Sequence, residues 1–237
     1  MSRVLEVRDL KKRFAGIAAV DGIDLSAESL EILAIIGPNG SGKTTLFNLI
    51  SGFLKPTAGD ILLNGERING IPPHRLVRRG LARSFQQAMS FPNLSVRDNV
   101  EVPIHASGRR HLGDVTRILE LCGLSEQEHM PANTLPYGKQ RNLGIAIAMA
   151  TRPQLLLLDE PAAGLGDDAA RDLARLIRSI REQGVTLVVI DHDMPFLLPI
   201  ADRVIVMETG KKLFEGTAAD VLAHERVIEV YLGHDAE

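Results

Sequence analysis

Cysteine is almost missing from this chain: Cys122 stands alone among 237 residues. No intrachain disulfide can form and a cysteine-type metal site is excluded, a usage that fits a reducing cytoplasm. An excess of one charge is missing too. With 27 Lys and Arg against 30 Asp and Glu, the formal net charge is −3. That balance carries no polyanion-binding footprint and argues against nucleic acid as the main partner. The opening residues, Met1-Ser2-Arg3-Val4-Leu5-Glu6, lack the apolar core of a signal peptide. No uninterrupted apolar run approaches the roughly 20 residues of a membrane span, so any membrane role is expected to come through a partner. An Asn-Lys-x-Asp guanine motif is lacking, as is a His-rich ligand spacing for a metallohydrolase. The length suits one large domain, or one domain with a subdomain, burying a sizeable core.

What is present centres on Gly37-Pro38-Asn39-Gly40-Ser41-Gly42-Lys43-Thr44-Thr45, between the apolar run at 32–36 and the helical pattern at 46–50. The order is strand, phosphate loop, helix. Glycines let the backbone turn until successive N–H groups face a polyphosphate, and the following helix adds its positive N-terminal end. Lys43 brings a full charge to the β- and γ-phosphates, and the Thr44 hydroxyl suits a Mg²⁺ ligand. A Gly-rich turn alone is common; the full GxxxxGK[ST] spacing in this context points to nucleotide binding.

The rest of the chain supports an α/β reading. Residues 5–10 and 23–26 read as strands before the loop, with Phe14 in a basic, Gly-containing turn between them. Residues 59–66 and 81–85 read as further strands. From 88 to about 150 the pattern is loop and helix, with helical stretches at 96–102, 115–122 and 139–150. A helical insertion into an α/β core is the simplest account. Strands at 154–159, 185–190 and 203–207 then alternate with a helix at 169–183, and short helices at 218–223 and 226–232 close the chain. Such alternation implies a largely parallel sheet.

Chemistry-bearing residues fall where such sheets place ligands, at strand ends. Asp159-Glu160 follows an apolar run; the pair could cap the strand, but beside a nucleotide one carboxylate can support Mg²⁺ and the other polarise an attacking water. Asp191-His192-Asp193 ends another strand, although an isolated His is more often structural. Gln86 ends the 81–85 strand at the border of the insertion. The segment Leu135-Pro136-Tyr137-Gly138-Lys139-Gln140-Arg141 reads by itself as a generic helix start.

Taken in order and spacing, the phosphate loop, Gln86, residues 135–140, Asp159-Glu160-Pro161 and His192 resemble the ATP-binding subunits of ABC transporters over essentially the whole chain. Arg83-Ser84-Phe85-Gln86, residues 91–96 and 159–165, His192-Asp193-Met194 and Tyr231-Leu232-Gly233 look like the ATPases of branched-chain amino acid importers and their urea and short-amide relatives. The resemblance implies a P-loop NTPase (RecA-like) α/β core, at residues 1–87 and 151–237, with an N-terminal antiparallel β subdomain and a helical subdomain at 88–150. It implies ATP and Mg²⁺ as ligands. Phe14 would stack on adenine, Lys43, Thr44 and the loop amides would hold the phosphates, and Gln86 would sense the metal and water. Asp159 would support Mg²⁺, Glu160 act as general base and His192 contact the γ-phosphate. Leu135, Pro136, Tyr137, Gly138 and Lys139 would touch the nucleotide of a second ATPase subunit, identical or paralogous. Transmembrane permease subunits and, indirectly, a periplasmic substrate-binding protein are the further partners, with the chain on the inner face of the membrane.

The segment departs from the usual Leu-Ser-Gly-Gly-Gln at Pro136, Tyr137 and Lys139. Ile147 stands where an Arg is common, and Gly166 where Asp or Asn is. An exporter of lipid or lipopolysaccharide, and a soluble clamp on nucleic acid or ribosome, are the alternatives.

Overall fold

A computed structural model describes residues 2–84, 90–106 and 113–232. β1 (Arg3–Phe14) and β2 (Ile17–Glu28) form an antiparallel hairpin, far longer than the expected pieces at 5–10 and 23–26. Polar residues interrupt the apolar pattern because one face of the ribbon stays in solvent while Leu5, Val7, Leu10, Val20, Ile23 and Leu25 turn inward. Ala15 and Gly16 make the turn with φ of 43° and 93°, the left-handed pair that matches the twist of a two-residue hairpin. β3 (Ile32–Ile36) leads into α1 (Lys43–Ile50), and β4 (Ala58–Leu63) and β5 (Glu66–Arg67) complete a four-stranded antiparallel sheet in the order β2-β1-β4-β5.

The second sheet joins β3 to β6 (Leu81–Ser84), β7 (Leu155–Asp159), β8 (Thr186–Ile190), β9 (Arg203–Glu208) and β10 (Lys211–Gly216). Its order is β10-β9-β3-β8-β7-β6, parallel except for the β9–β10 hairpin. β10 carries no apolar signature in the sequence: its lysines and glycine suit a charged edge rather than a buried strand. β3 and β8 are buried at every position, as continuous apolar strands covered on both faces must be. Ile32, Ala34 and Ile36 face one core, and Leu33 and Ile35 the other.

On the second face lie α1, the antiparallel sheet and α2 (Pro73–Arg78). On the first face pack α3 (Val96–Ala106), α4 (Gly113–Leu121), α5 (Tyr137–Met149), α6 (Asp167–Glu182), α7 (Met194–Leu197), α8 (Ala218–Ala223) and α9 (Glu225–Leu232). α3 runs on through Pro103 because Val96, Val100 and Ile104, on one stripe, are buried, and that packing outweighs the proline cost of about 3 kcal/mol. α5 begins at Tyr137, two residues earlier than read: Pro136 sits at its N-cap with ψ 150°, and its carbonyl accepts from the Gln140 N–H at 3.0 Å. Among the described residues no helix is long and apolar enough to cross a membrane.

Candidate nucleotide site

The loop at 37–42 leaves β3 and returns into α1 with positive φ at Gly37, Gly40 and Gly42. A Cβ on Gly37 would lie 2.3 Å from the Met207 carbonyl oxygen, and one on Gly42 2.3 Å from that of Ala19. The loop is thus pressed between β9 and the hairpin, and only glycine fits at these contacts. At Gly40 the same position is open, on the rim with exposed Asn39 and half-buried Pro38. α1 starts without a side-chain cap, so its first amides remain available to an anion.

Lys43 is buried and its ammonium folds back into the loop, donating to the carbonyls of Gly37 at 2.6 Å and Pro38 at 2.9 Å and lying 3.5 Å from Ser41 Oγ. Burial lowers its pKa from the ordinary lysine value, against the Glu160 and Asp159 carboxylates, which raise it. A desolvated cation with this incomplete compensation favours an incoming polyanion. Thr44 is exposed beside it and Thr45 half-buried.

The ends of β3, β8 and β7 lie side by side. Asp159 closes β7, and Arg83, from β6, donates to its Oδ2 at 2.5 Å while donating to Asn48 Oδ1 at 2.8 Å and Ser51 Oγ at 2.9 Å on and just after α1. With side chains only 6% and 12% exposed, this ion pair links the carboxylate to the phosphate-loop helix. Arg83 inside the short strand β6, after apolar Leu81 and Ala82, is the signal in the sequence, because a buried guanidinium requires a counter-charge. Glu160 follows with φ 46°, a strained conformation for a residue with a side chain. Its N–H donates to the Ile190 carbonyl at 2.8 Å, which fixes where it leaves the sheet.

His192 is exposed, with Nδ1 3.6 Å from Asp191 Oδ1. Asp191 is fully buried; it accepts from the backbone N–H groups of His192 at 2.8 Å, Asp193 at 3.1 Å and Ala162 at 3.0 Å. It therefore joins the His192 turn to the turn after Glu160, an organising role that reading for catalytic types passes over. Phe14 ends β1, 43% exposed, with Lys12 Nζ 5.0 Å above its ring. It presents a free aromatic face rather than a core side chain. Gln86 lies outside the described residues.

The segment at 135–139 splits in two. Tyr137 is exposed and Pro136 caps α5, whereas Leu135 is buried. Gly138 packs near Leu165 and Ala169, and half-buried Lys139 reaches along the surface to donate to the Gly123 carbonyl at 2.5 Å. Uncapped amides, a cradle closed to any Cβ and a desolvated ammonium fit a polyphosphate. Among the described residues there is no cluster of three or more His, Cys, Asp or Glu side chains; the oxygens of Thr44 and Asp159 have the chemistry that a hard cation such as Mg²⁺ would take.

Residues 20–163 match the family model described as ABC transporter, and residues 211–237 that of the branched-chain amino acid ATP-binding cassette transporter. The chain is 40% identical to the high-affinity branched-chain amino acid transport ATP-binding protein BraF of Pseudomonas aeruginosa, covering 98% of this chain and 99% of that one. It is 38% identical to LivG of Escherichia coli K12, covering 97% and 98%. Among solved structures, the ADP conformation of an ATP-binding cassette of an ABC transporter superposes with a TM-score of 0.91 at 27% identity, over 98% of this chain and all of that one. A dimeric post-hydrolysis cassette bound to ADP and Pi superposes with a TM-score of 0.79 at 25% identity, over 90% and 98%. From loop geometry, strand-end carboxylates and likeness along its whole length, this chain belongs to the ATP-binding subunits of ABC transporters and is an ATPase.

Proposed function

We propose that this chain powers an importer of branched-chain amino acids as one of two cassettes that close on ATP at the inner face of the membrane. One observation carries the reading: the phosphate loop leaves β3 while Asp159 and Glu160 leave β7, one strand away across β8, where the Glu160 N–H is bonded to the Ile190 carbonyl, so the anion grip and the strand-end carboxylates share one end of the sheet. Near full-length similarity to BraF and LivG, and the match of the C-terminal segment, support the substrate class.

In this reading Phe14 stacks on the adenine, the amides of 37–44 and Lys43 hold the phosphates, and Thr44 and Asp159, with Gln86, would hold Mg²⁺. When bound, the metal supplies charge neutralisation for the phosphate oxygens. Glu160 takes a proton from the water whose oxygen attacks the γ-phosphorus; the bond to the β–γ bridging oxygen breaks, leaving ADP and phosphate. His192 orients the γ-phosphate. Leu135, Pro136, Tyr137, Gly138 and Lys139 form the edge offered to the nucleotide of the second ATPase subunit, with buried Leu135 supporting it from within. Residues 1–87 and 151–237 act as the nucleotide-binding core, and residues 88–150 pass closure to transmembrane permease subunits served by a periplasmic substrate-binding protein. Because a ligand shifts an equilibrium only as far as it prefers one state, ATP drives closure through contacts made only in the closed pair.

Glu160→Gln tests this directly: it is expected to bind ATP, accumulate as a dimer by light scattering and lose roughly 1,000-fold or more in phosphate release. Wild-type turnover in that variant would remove Glu160 as the base.

A further inference from the structure

Tyr137 and Arg141 stand one helical turn apart at the start of α5, so their side chains share a face. The Arg141 guanidinium sits 5.1 Å from the Tyr137 ring centroid, within cation–π reach. Its Nη2 donates to the Tyr137 hydroxyl at 2.6 Å and to the Ala163 carbonyl at 3.2 Å, and the Tyr137 hydroxyl donates to that same carbonyl at 3.2 Å. Three groups close a triangle on one backbone oxygen. The next residue, Gly164, has φ 76°, and a Cβ there would lie 3.4 Å from the Tyr137 ring, so the aromatic covers that glycine.

Ala163 belongs to the turn that carries Glu160. Its N–H donates to the Glu160 carbonyl at 3.3 Å, and Leu165 N–H donates to Ala162 at 3.0 Å, while Ala162 is held by Asp191. A displacement at Tyr137 therefore reaches Glu160 through one short hydrogen-bonded turn. Arg141 is 7% exposed, and among the described residues its Nε has no hydrogen-bond acceptor; the acceptors of its Nη2 are a phenol and a carbonyl, not a carboxylate. Burying a guanidinium this way is costly, and packing alone gives no reason for it.

We propose that Tyr137 and Arg141 are positioning residues that couple the α5 edge to Glu160 within one chain. The inference rests on the two-cassette reading. The edge a protomer offers to its partner's nucleotide is bolted to the turn aiming its own carboxylate, so closure at one site sets the base at the other. Positive cooperativity between the two sites follows.

Tyr137→Phe removes only the hydroxyl from an exposed side chain, and Arg141→Met removes the guanidinium while keeping the stem. Hydrogen–deuterium exchange of the nucleotide-free protein is expected to show amides 163–165 exchanging at least about tenfold faster in both variants. In the dimer, the Hill coefficient for ATP in phosphate release is expected to fall from well above 1 to near 1, with kcat reduced. Unchanged exchange at 163–165 overturns the link, and a wild-type Hill coefficient of 1 overturns the coupling. Failure of Glu160→Gln to dimerise on ATP would instead sink the two-cassette reading, leaving the exchange result to judge the triangle alone.

Discussion

The strand-end pocket and the α5 edge hold their residues by opposite means. At the pocket, polar groups are buried and bonded within the chain: Lys43 to loop carbonyls, Asp159 to Arg83, Asp191 to three amides. At the edge, Tyr137 and Pro136 are exposed, and the side-chain triangle on Ala163 ties the helix start to the turn after Glu160. A buried, hydrogen-bonded network holds its groups in place before any ligand arrives, whereas an exposed edge leaves its side chains open to solvent. On the two-cassette reading, one chain supplies a preorganised half-site and an edge offered to a second cassette.

The comparison is broken most severely by Lys43→Ala, which removes the only charge inside the loop. Nucleotide affinity is expected to fall by ~100-fold or more, as a hydrogen-bonded charge contact to phosphate is lost, measured by titration with a fluorescent nucleotide; retained affinity would mean that the amides suffice. Next in size, Arg83→Met strands the Asp159 carboxylate. Chemical denaturation without nucleotide is expected to show a loss of about 3–5 kcal/mol, with part of it recovered by adding Asp159→Asn. A loss no larger in Arg83→Met than at an exposed arginine would show that the pair does not organise the pocket.

Phe14→Ala sharpens the contrast from the exposed side. Stability should stay within about 0.5 kcal/mol, while ATP affinity drops about fivefold to tenfold through lost stacking; equal affinity would remove Phe14 from the site. The smallest effect is expected at Cys122, buried between the helices, whose thiol is pushed up to about 12 by burial. In the folded protein it should not react with a thiol reagent near neutral pH. Because the folded value exceeds the unfolded one, its stabilising contribution is complete below about pH 9 and is lost as pH climbs toward 12, which alkaline denaturation midpoints of Cys122→Ala against wild type can measure.

Much of the fold was legible early. Continuous apolar runs marked β3, β7 and β8, and strand ends bearing Asp159, Glu160 and His192 fell beside the phosphate loop as parallel sheets demand. The hairpin was read too short because charged residues on its solvent face broke the pattern. β10 was passed over because an edge strand with lysines lacks an apolar signature. α5 was started too late because Pro136 caps the helix instead of excluding Tyr137 and Gly138 from it.

Local order alone marks the phosphate loop, because the spacing of its glycines, Lys43 and Thr44 is read along one short stretch and Lys43 bonds to carbonyls only a few residues away. The meeting of Arg83 with Asp159, of Asp191 with Ala162, and of Tyr137 and Arg141 with Ala163 joins residues between 22 and 76 positions apart. Those encounters depend on strand order and register, which place distant segments within hydrogen-bond reach only after the sheet has been assembled and both its faces have been covered.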